Sequence, residues 1–366
     1  MVFKIFITFN CNLNCKYCFV IHKHVKMRWI TLEKILKLAL ENKNVKKIIL
    51  TGGEPTSNFE LIKKAGIFIK KNDFARRIVF DDIPTNGTLL NKEMIEFAKD
   101  HSIKFAFSLD GYGFSQNVFR YKDKRLYGRI LLNLHNYIRI TKKIPRVKMT
   151  VNPQNSHLLY ENVVSLLSHG LVNIQILAAF GQLWANKTLN SFLNSFKKVL
   201  TLHKYLKSQG KSLTIDPIDW YITKIKTKSY AEITMSSCDM GDEISFDPSG
   251  EAYACLSMIH LRNNPSLKKK FYIGNIHNSV DIKKIRSFED YRICSNTKLN
   301  CKHRFPNISC KKICATLDFK TGKTFKSGYI ENLLAIENSM FEMTYQKYFK
   351  NRLSNIYAGN LPHPND

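Results

Sequence analysis

The stretch VFKIFITFNCNLNCKYC (residues 2–18) runs a set of strand-forming residues directly into three cysteines spaced C-x3-C-x2-C. Aromatic and β-branched residues over 2–9 predict a buried strand, and the polar cysteine segment starts where that strand ends. The pattern then repeats. KKIILT (46–51), RIVFDD (77–82), IKFAFSLD (103–110), RVKMTVN (146–152) and VNIQILAAF (172–180) read as further strands. Between them, TLEKILKLALEN, FELIKKAGIFIKK, KEMIEFAKDH, YGRILLNLHNYIRITKK and YENVVSLLSHG carry apolar residues at helical spacing. Thr31 is expected as the N-cap of the first helix, with Glu33 in its first turn. Six strand–helix repeats predict an α/β fold with parallel strands, open or barrel-like.

In such folds the chemistry gathers at the C-terminal ends of the strands. Each unusual polar motif falls at such an end. CNLNCKYC follows the first strand, GGEPT (52–56) the second, PTNGT (84–88) the third and DG (110–111) the fourth, while Asn152 closes the fifth. One site built from successive strand ends is the economical expectation. A further helix is expected from about Leu189 to Ser208. Beyond it the character changes, with short apolar runs, the turn signal DPSG (247–250) and six of the nine cysteines. GYIENLLAIENSMFEMTYQKYFK (328–350) reads as a last helix before a polar tail.

The 366 residues allow a main domain and a smaller one. No signal peptide and no membrane span are expected, so a cytoplasmic location follows, where thiols stay reduced. Nine cysteines in that setting favour metal or redox chemistry over disulfides. The formal charge of +28 would attract nucleic acid, an anionic membrane or an acidic peptide. Its plainer reading is a lysine-rich drift over solvated helix faces. No basic run with interleaved aromatics argues for nucleic acid.

The cysteines form two groups, Cys11, Cys15 and Cys18 at the start and Cys238, Cys255, Cys294, Cys301, Cys310 and Cys314 near the end. A structural zinc normally takes four closed ligands, and His22 and His24 offer no clean spacing to complete the first set. Three thiolates on a cubane [4Fe–4S] cluster would leave one iron open to an outside ligand. The alternative is zinc completed by a distant group.

C-x3-C-x2-C with Tyr17 before the third cysteine, after the first strand of a β/α repeat, resembles the radical S-adenosylmethionine superfamily. The resemblance covers residues 3 to 182 and implies a partial (β/α)6 TIM-like barrel. It implies that Cys11, Cys15 and Cys18 hold a [4Fe–4S] cluster whose open iron chelates S-adenosylmethionine. Reductive cleavage then yields a 5′-deoxyadenosyl radical, and the cofactors carry the difficult chemistry. Gly52, Gly53, Glu54 and Pro55 resemble the family's GGEP motif, which receives the methionine amino group. Ser108 matches a serine, and Arg120 an arginine, on the methionine carboxylate. Tyr17 is expected near the adenine. Asn86 and Asn152 are either ligand-facing or strand-end turn residues.

Cys238, Gly250-x4-Cys255, GNI (274–276) and the block from Cys301 to Cys314 resemble the auxiliary-cluster extension called SPASM, or its shorter relative, twitch. Arg304 stands where the second cysteine of the middle block belongs, and no cysteine follows Cys314. One auxiliary [4Fe–4S] cluster is therefore expected, on Cys238, Cys255 and Cys314 with Cys294, Cys310 or another group as fourth ligand. Cys301 and any uncommitted cysteine would be structural or a hydrogen-atom donor, and zinc on the same cysteines is the rival reading. The expected division is 1–210 radical domain, 211–320 auxiliary domain and 321–366 C-terminal helix and tail.

Such extensions imply an oxidoreductase-like enzyme acting on peptides, a maturase that abstracts hydrogen from a residue of a ribosomal precursor peptide. Loss of two hydrogens would form a thioether, ether or carbon–carbon cross-link. A peptide epimerase using a cysteine such as Cys294 and a sulfatase-type maturase are the rivals. The latter typically has an acidic residue after the G-x4-C cysteine, where this chain has Leu256. A non-enzymatic cluster scaffold is disfavoured by the intact GGEP, Ser108 and Arg120 set. The implied partners are the precursor peptide and an electron donor such as flavodoxin or ferredoxin; since the radical domain starts at once, leader binding is expected to need a separate leader-binding protein or another surface.

Overall fold

A computed structural model of the chain describes residues 1–73, 75–120, 123, 125–179, 181–227, 242–261, 264–288 and 327–349. Strands β1 (Val2–Thr8), β2 (Lys47–Gly52) and β3 (Val79–Phe80) alternate with helices α1 (Trp29–Glu41) and α2 (Phe59–Asn72). Then come β4 (Ile83–Thr85), α3 (Lys92–Asp100), β5 (Phe105–Ser108), α4 (Gly113–Phe119), α5 (Arg125–Thr141) and β6 (Val147–Val151). The series closes with α6 (Leu159–Ser168), β7 (Asn173–Ala178), α7 (Asn186–Ser208), β8 (Thr214–Asp216) and α8 (Ile218–Thr227). All pairings within β1–β2–β3 and within β4–β5–β6–β7–β8 are parallel.

Alternation along the strands sets two layers. Phe3, Ile5 and Ile7 of β1, and Val147, Met149 and Val151 of β6, are buried in the common apolar core with Leu32, Ile35 and Leu36 of α1. Their neighbours Lys4, Lys148 and Thr150 face the other side, as a period of two requires.

The expected third strand is two strands. β3 pairs with β2, β4 pairs with β5, and the chain changes sheet at Asp81 and Asp82. The Asp81 amide donates to the Ile48 carbonyl (2.9 Å) and the Ile83 amide to Lys104 (2.8 Å), one toward each sheet. PTNGT therefore begins inside β4 rather than after it. Helix α1 begins at Trp29, so Thr31 lies in its first turn and is not its cap. Its hydroxyl instead meets His277 Nε2 at 3.0 Å.

The C-terminal region joins the same wall. β9 (Glu243–Phe246) lies parallel to β1 on the side away from β2, and β10 (Glu251–Tyr253), β11 (Tyr272–Asn275) and β12 (Ser279–Val280) follow antiparallel. DPSG makes the β9–β10 turn, with Asp247 Oδ1 accepting from the Ser249 and Glu251 amides at 2.9 and 3.0 Å. Gly250 has φ +91°, and its carbonyl accepts from the Ile276 amide at 2.8 Å. A Cβ there would meet Ile276 Cγ2 at 2.6 Å, so the two glycine motifs seen in the sequence form one packed corner. Helix α9 (Leu256–Ile259) follows Cys255, and α10 (Pro265–Phe271) leads into β11. The last helix, α11 (Ser327–Phe349), packs on α7 and α8. His203 of α7 bridges Tyr348 Oη (2.5 Å) and Asp219 (2.8 Å) at that contact. Among the described residues no helix is long and apolar enough to cross a membrane.

Candidate active site

The loop after β1 is tied at several points before it reaches α1. Thr8 donates its hydroxyl to the Val25 carbonyl at 2.8 Å, and the Lys16 amide donates to the Phe119 carbonyl at the end of α4 (2.9 Å). Cys11, Cys15 and Cys18 are free thiols on this loop, each half-buried. Burial pushes the Cys11 thiol up to about 12, eased by the Leu13 amide at its sulfur, and the Cys18 thiol up to about 11. Burial also raises Cys15, and the Arg120 guanidinium works against that rise. These thiols hold their protons until metal displaces them.

Among the described residues no three His, Cys, Asp or Glu side chains converge tightly enough for a single metal ion. A cubane cluster would take each of the three thiolates on a different iron corner.

The second strand end lies against this loop. Gly53 donates its amide to Thr8 O (3.0 Å) and Glu54 to Asn10 O (2.8 Å). A Cβ on Gly52 would stand 2.3 Å from Thr8 O, and one on Gly53 2.4 Å from Asn10 O, so only glycine fits either place. Glu54 is fully buried and braces the loops: its carboxylate accepts from Thr56 N (3.1 Å), Thr56 Oγ1 (2.6 Å), Thr85 Oγ1 (2.8 Å) and Asn86 N (2.7 Å). Burial raises its pKa, and these donors oppose the rise. Pro55 opens the short turn Pro55–Asn58. Asn86 Nδ2 donates to Asn12 Oδ1 at 2.9 Å and Asn12 Nδ2 to Thr88 Oγ1 at 2.7 Å, linking the cysteine loop to the third strand end.

Asp110 is the hub of the far side. It takes a bidentate pair from Arg120 (Nε 2.9 Å, Nη2 2.8 Å), the Tyr17 hydroxyl and the Thr150 amide (2.9 Å). Burial works against the Arg120 charge, and the Asp110 carboxylate more than restores it, so the guanidinium stays protonated above its ordinary range. Arg120 lies over the Tyr17 ring at 5.4 Å. Burial likewise lifts the Tyr17 phenol well up, with Arg120 opposing and Asp110 adding. Ser108 ends β5, its carbonyl accepting from Gln116 Nε2 at 3.1 Å. Asn152, Tyr17, Lys16, Phe119, Gln154 and Gln182 line a cavity of about 230 Å³. Asn152 Nδ2 is buried there with no partner, an orphaned donor of the kind a ligand satisfies.

Every first-half residue expected at the site is thus at the open ends of β1, β2, β4, β5 and β6. Arg120 is seated on Asp110, and Tyr17 is pinned by the same carboxylate. Sequence reading placed Asp110, Asn12 and Thr88 within the strand-end motifs but gave none of them a role; the SLDG motif held the signal for Asp110. From the second group, Cys255 stands at the N-terminus of α9, while Cys238, Cys294, Cys301, Cys310 and Cys314 lie outside the described residues. His260, at the end of α9, packs edge-on against Phe6 (4.7 Å), Phe9 (5.2 Å) and Phe19 (5.6 Å). Its Nδ1 accepts from the Ile21 amide at 3.4 Å, so the C-terminal region supports the cysteine loop directly.

A three-thiol loop, a glycine cradle and an orphaned donor at adjoining strand ends define an iron–sulfur enzyme of the parallel α/β class. Residues 5–141 match the Radical SAM superfamily, and the chain carries a radical SAM domain. Its cofactors are a [4Fe–4S] cluster and S-adenosylmethionine, used reductively. An uncharacterised protein of Methanocaldococcus jannaschii is 28% identical over 291 residues, 77% of this chain and 91% of that protein. The cysteine-type anaerobic sulfatase-maturating enzyme of Clostridium novyi is 34% identical over 112 residues, 28% of this chain and 30% of that enzyme. The radical SAM cyclopropyl synthase TigE of Paramaledivibacter caminithermalis is 25% identical over 328 residues, 80% of this chain and 63% of that enzyme. The chain thus spans about a third of the sulfatase-maturating enzyme's length and under two thirds of TigE's. The fold is that of anSMEcpe, solved with bound AdoMet and the Cp18Cys peptide: TM-score 0.71, 19% identity, 97% of this chain and 99% of that one.

Proposed function

We propose that this enzyme abstracts hydrogen from a residue of a ribosomal precursor peptide, the product being a thioether, ether or carbon–carbon cross-link. The observation that carries the reading is the corner of Gly250 and Ile276, which presents Cys255 and wedges His260 under the cysteine loop. A radical domain buttressed in this way by a cysteine-bearing extension fits an enzyme that removes a second electron after the hydrogen atom. The similarity to TigE over most of this chain, and a fold shared with a peptide-bound enzyme, support it.

Cys11, Cys15 and Cys18 would hold the catalytic cluster, with Gly52, Gly53 and the Asn152 amide facing the methionine and nucleoside groups. S-adenosylmethionine bound there supplies the hydrogen-abstracting radical. Glu54 and Asp110 hold the loops in register, and Arg120 places a fixed positive charge beside Cys15 and Tyr17. Cys238, Cys255 and Cys314, with Cys294 or Cys310, would hold one auxiliary cluster, and Cys301 would stay outside it. Loss of two hydrogens from the peptide amounts to one hydrogen atom, taken by the radical, plus one proton released to solvent and one electron, for which an auxiliary cluster on these cysteines would supply the acceptor. An electron donor such as flavodoxin or ferredoxin and a separate leader-binding protein complete the system, in the cytoplasm.

A sulfatase-type maturase is the second reading, favoured by the match to the C. novyi enzyme. Co-expression with short peptides encoded nearby, followed by mass spectrometry, separates the outcomes. Loss of two hydrogens from such a peptide is expected. Modification of a sulfatase-derived peptide alone would move the assignment to sulfatase maturation, and unchanged mass with deuterium uptake from solvent would move it to epimerisation.

A further inference from the structure

His22 lies four residues beyond Cys18, outside the three-cysteine set. The structure nevertheless brings its Nε2 to 3.6 Å from the Cys18 sulfur, within hydrogen-bond reach for an acceptor of that size. The half-buried ring is placed there by ties on both flanks of its backbone. One residue before it, the Ile21 amide donates to His260 Nδ1 at 3.4 Å. One residue after it, the Lys23 amide donates to the Phe9 carbonyl at 3.1 Å, and the Phe9 amide donates to the Val25 carbonyl at 2.9 Å. The segment carrying His22 is therefore pinned to the end of β1 on one side and to helix α9 on the other. His260 itself is wedged against Phe6, Phe9 and Phe19, so the anchor is packed as well as hydrogen-bonded.

While Cys18 keeps its proton, either atom of the His22–Cys18 contact can be the donor. Cluster binding removes that freedom. A ligating sulfur has lost its proton and only accepts, so the contact persists with Nε2 as the donor. A hydrogen bond at such a sulfur draws electron density from it and favours the more negative, reduced form of a cluster. We propose that His22 is a tuning residue that donates from Nε2 to the Cys18 thiolate and so eases reduction of the N-terminal cluster. It is not an iron ligand and touches no substrate. The inference rests on the reading of Cys11, Cys15 and Cys18 as cluster ligands. It adds a route by which the C-terminal region acts on that cluster, from His260 through Ile21 to His22.

Potentiometric titration of the cluster-loaded full chain, read by EPR at fixed pH without S-adenosylmethionine, measures the effect with no turnover. The N-terminal cluster is the part of the reduced signal that is absent from the Cys11, Cys15 and Cys18 alanine variant. His22→Leu removes the donor, whereas His22→Gln returns an amide N–H near the place of Nε2. At the native midpoint the reduced-to-oxidised ratio should fall about tenfold in His22→Leu, about 59 mV for one electron, and stay within about twofold in His22→Gln. An unchanged ratio in the leucine variant overturns the inference. An equal fall in both variants also overturns it, because the effect would then come from the ring's bulk and not from its N–H. Where the leucine variant loads no N-terminal cluster, isotopically labelled histidine in the native chain decides. Pulsed EPR of the reduced cluster should show a weak coupling to a histidine nitrogen that disappears in His22→Gln. No coupling overturns the inference, and so does a coupling of iron-bound strength, which would make His22 a ligand. A native chain lacking the N-terminal signal would overturn the cluster reading itself, whereas a native signal with an unmoved midpoint in His22→Leu sinks this inference alone.

Discussion

Replacing Cys11, Cys15 and Cys18 together by alanine is expected to remove one cluster and leave the other. Iron in the reconstituted chain should fall from about eight to about four per molecule, and cleavage of S-adenosylmethionine should fall to background. The expectation follows from geometry. The three thiols share one loop, far along the chain from the six later cysteines. His260 holds that loop through ring contacts with Phe6, Phe9 and Phe19 rather than through sulfur, so the fold should persist in the variant. Iron falling to zero would mean that no auxiliary cluster exists. Iron unchanged would mean that the N-terminal cysteines hold none.

The second large effect is structural. Asp110→Ala leaves the Arg120 guanidinium buried without its carboxylate and strips partners from Tyr17 and the Thr150 amide. Breaking a buried pair from one side costs about 3–5 kcal/mol, against a total stability of roughly 5–15 kcal/mol. Urea unfolding should show that loss as a lower midpoint with little change in slope. The double variant Asp110→Ala/Arg120→Met should recover part of it, because the orphaned charge is gone. A loss of about 1 kcal/mol or less in the single variant would show that the pair does not hold the site together.

The strand–helix alternation was legible because each element carries its own period, two or 3.6, in a continuous run. What local pattern could not show was partnership at a distance. RIVFDDIPT reads as one strand; it is split because the Asp81 amide turns to Ile48 and the Ile83 amide to Lys104. Thr31 has the chemistry of a cap, yet the helix starts two residues earlier, where Trp29 packs on Phe68 at 5.8 Å. EISF gives no hint that it will lie parallel to β1, an arrangement that joins the C-terminal region to the wall. The cysteine and GGEP motifs stood out because their spacing is itself the signal. Asp110 did not, because its partners Tyr17, Arg120 and Thr150 come from three other places in the chain.

The central claim is that the strand ends form one site where three thiols and a glycine cradle hold a cluster and S-adenosylmethionine for reductive cleavage. Its most direct test is 5′-deoxyadenosine formation by the anaerobically reconstituted full chain with dithionite. Formation is predicted in the native sequence and not in the Cys11, Cys15 and Cys18 variant. A fully iron-loaded native chain that forms no 5′-deoxyadenosine would contradict it.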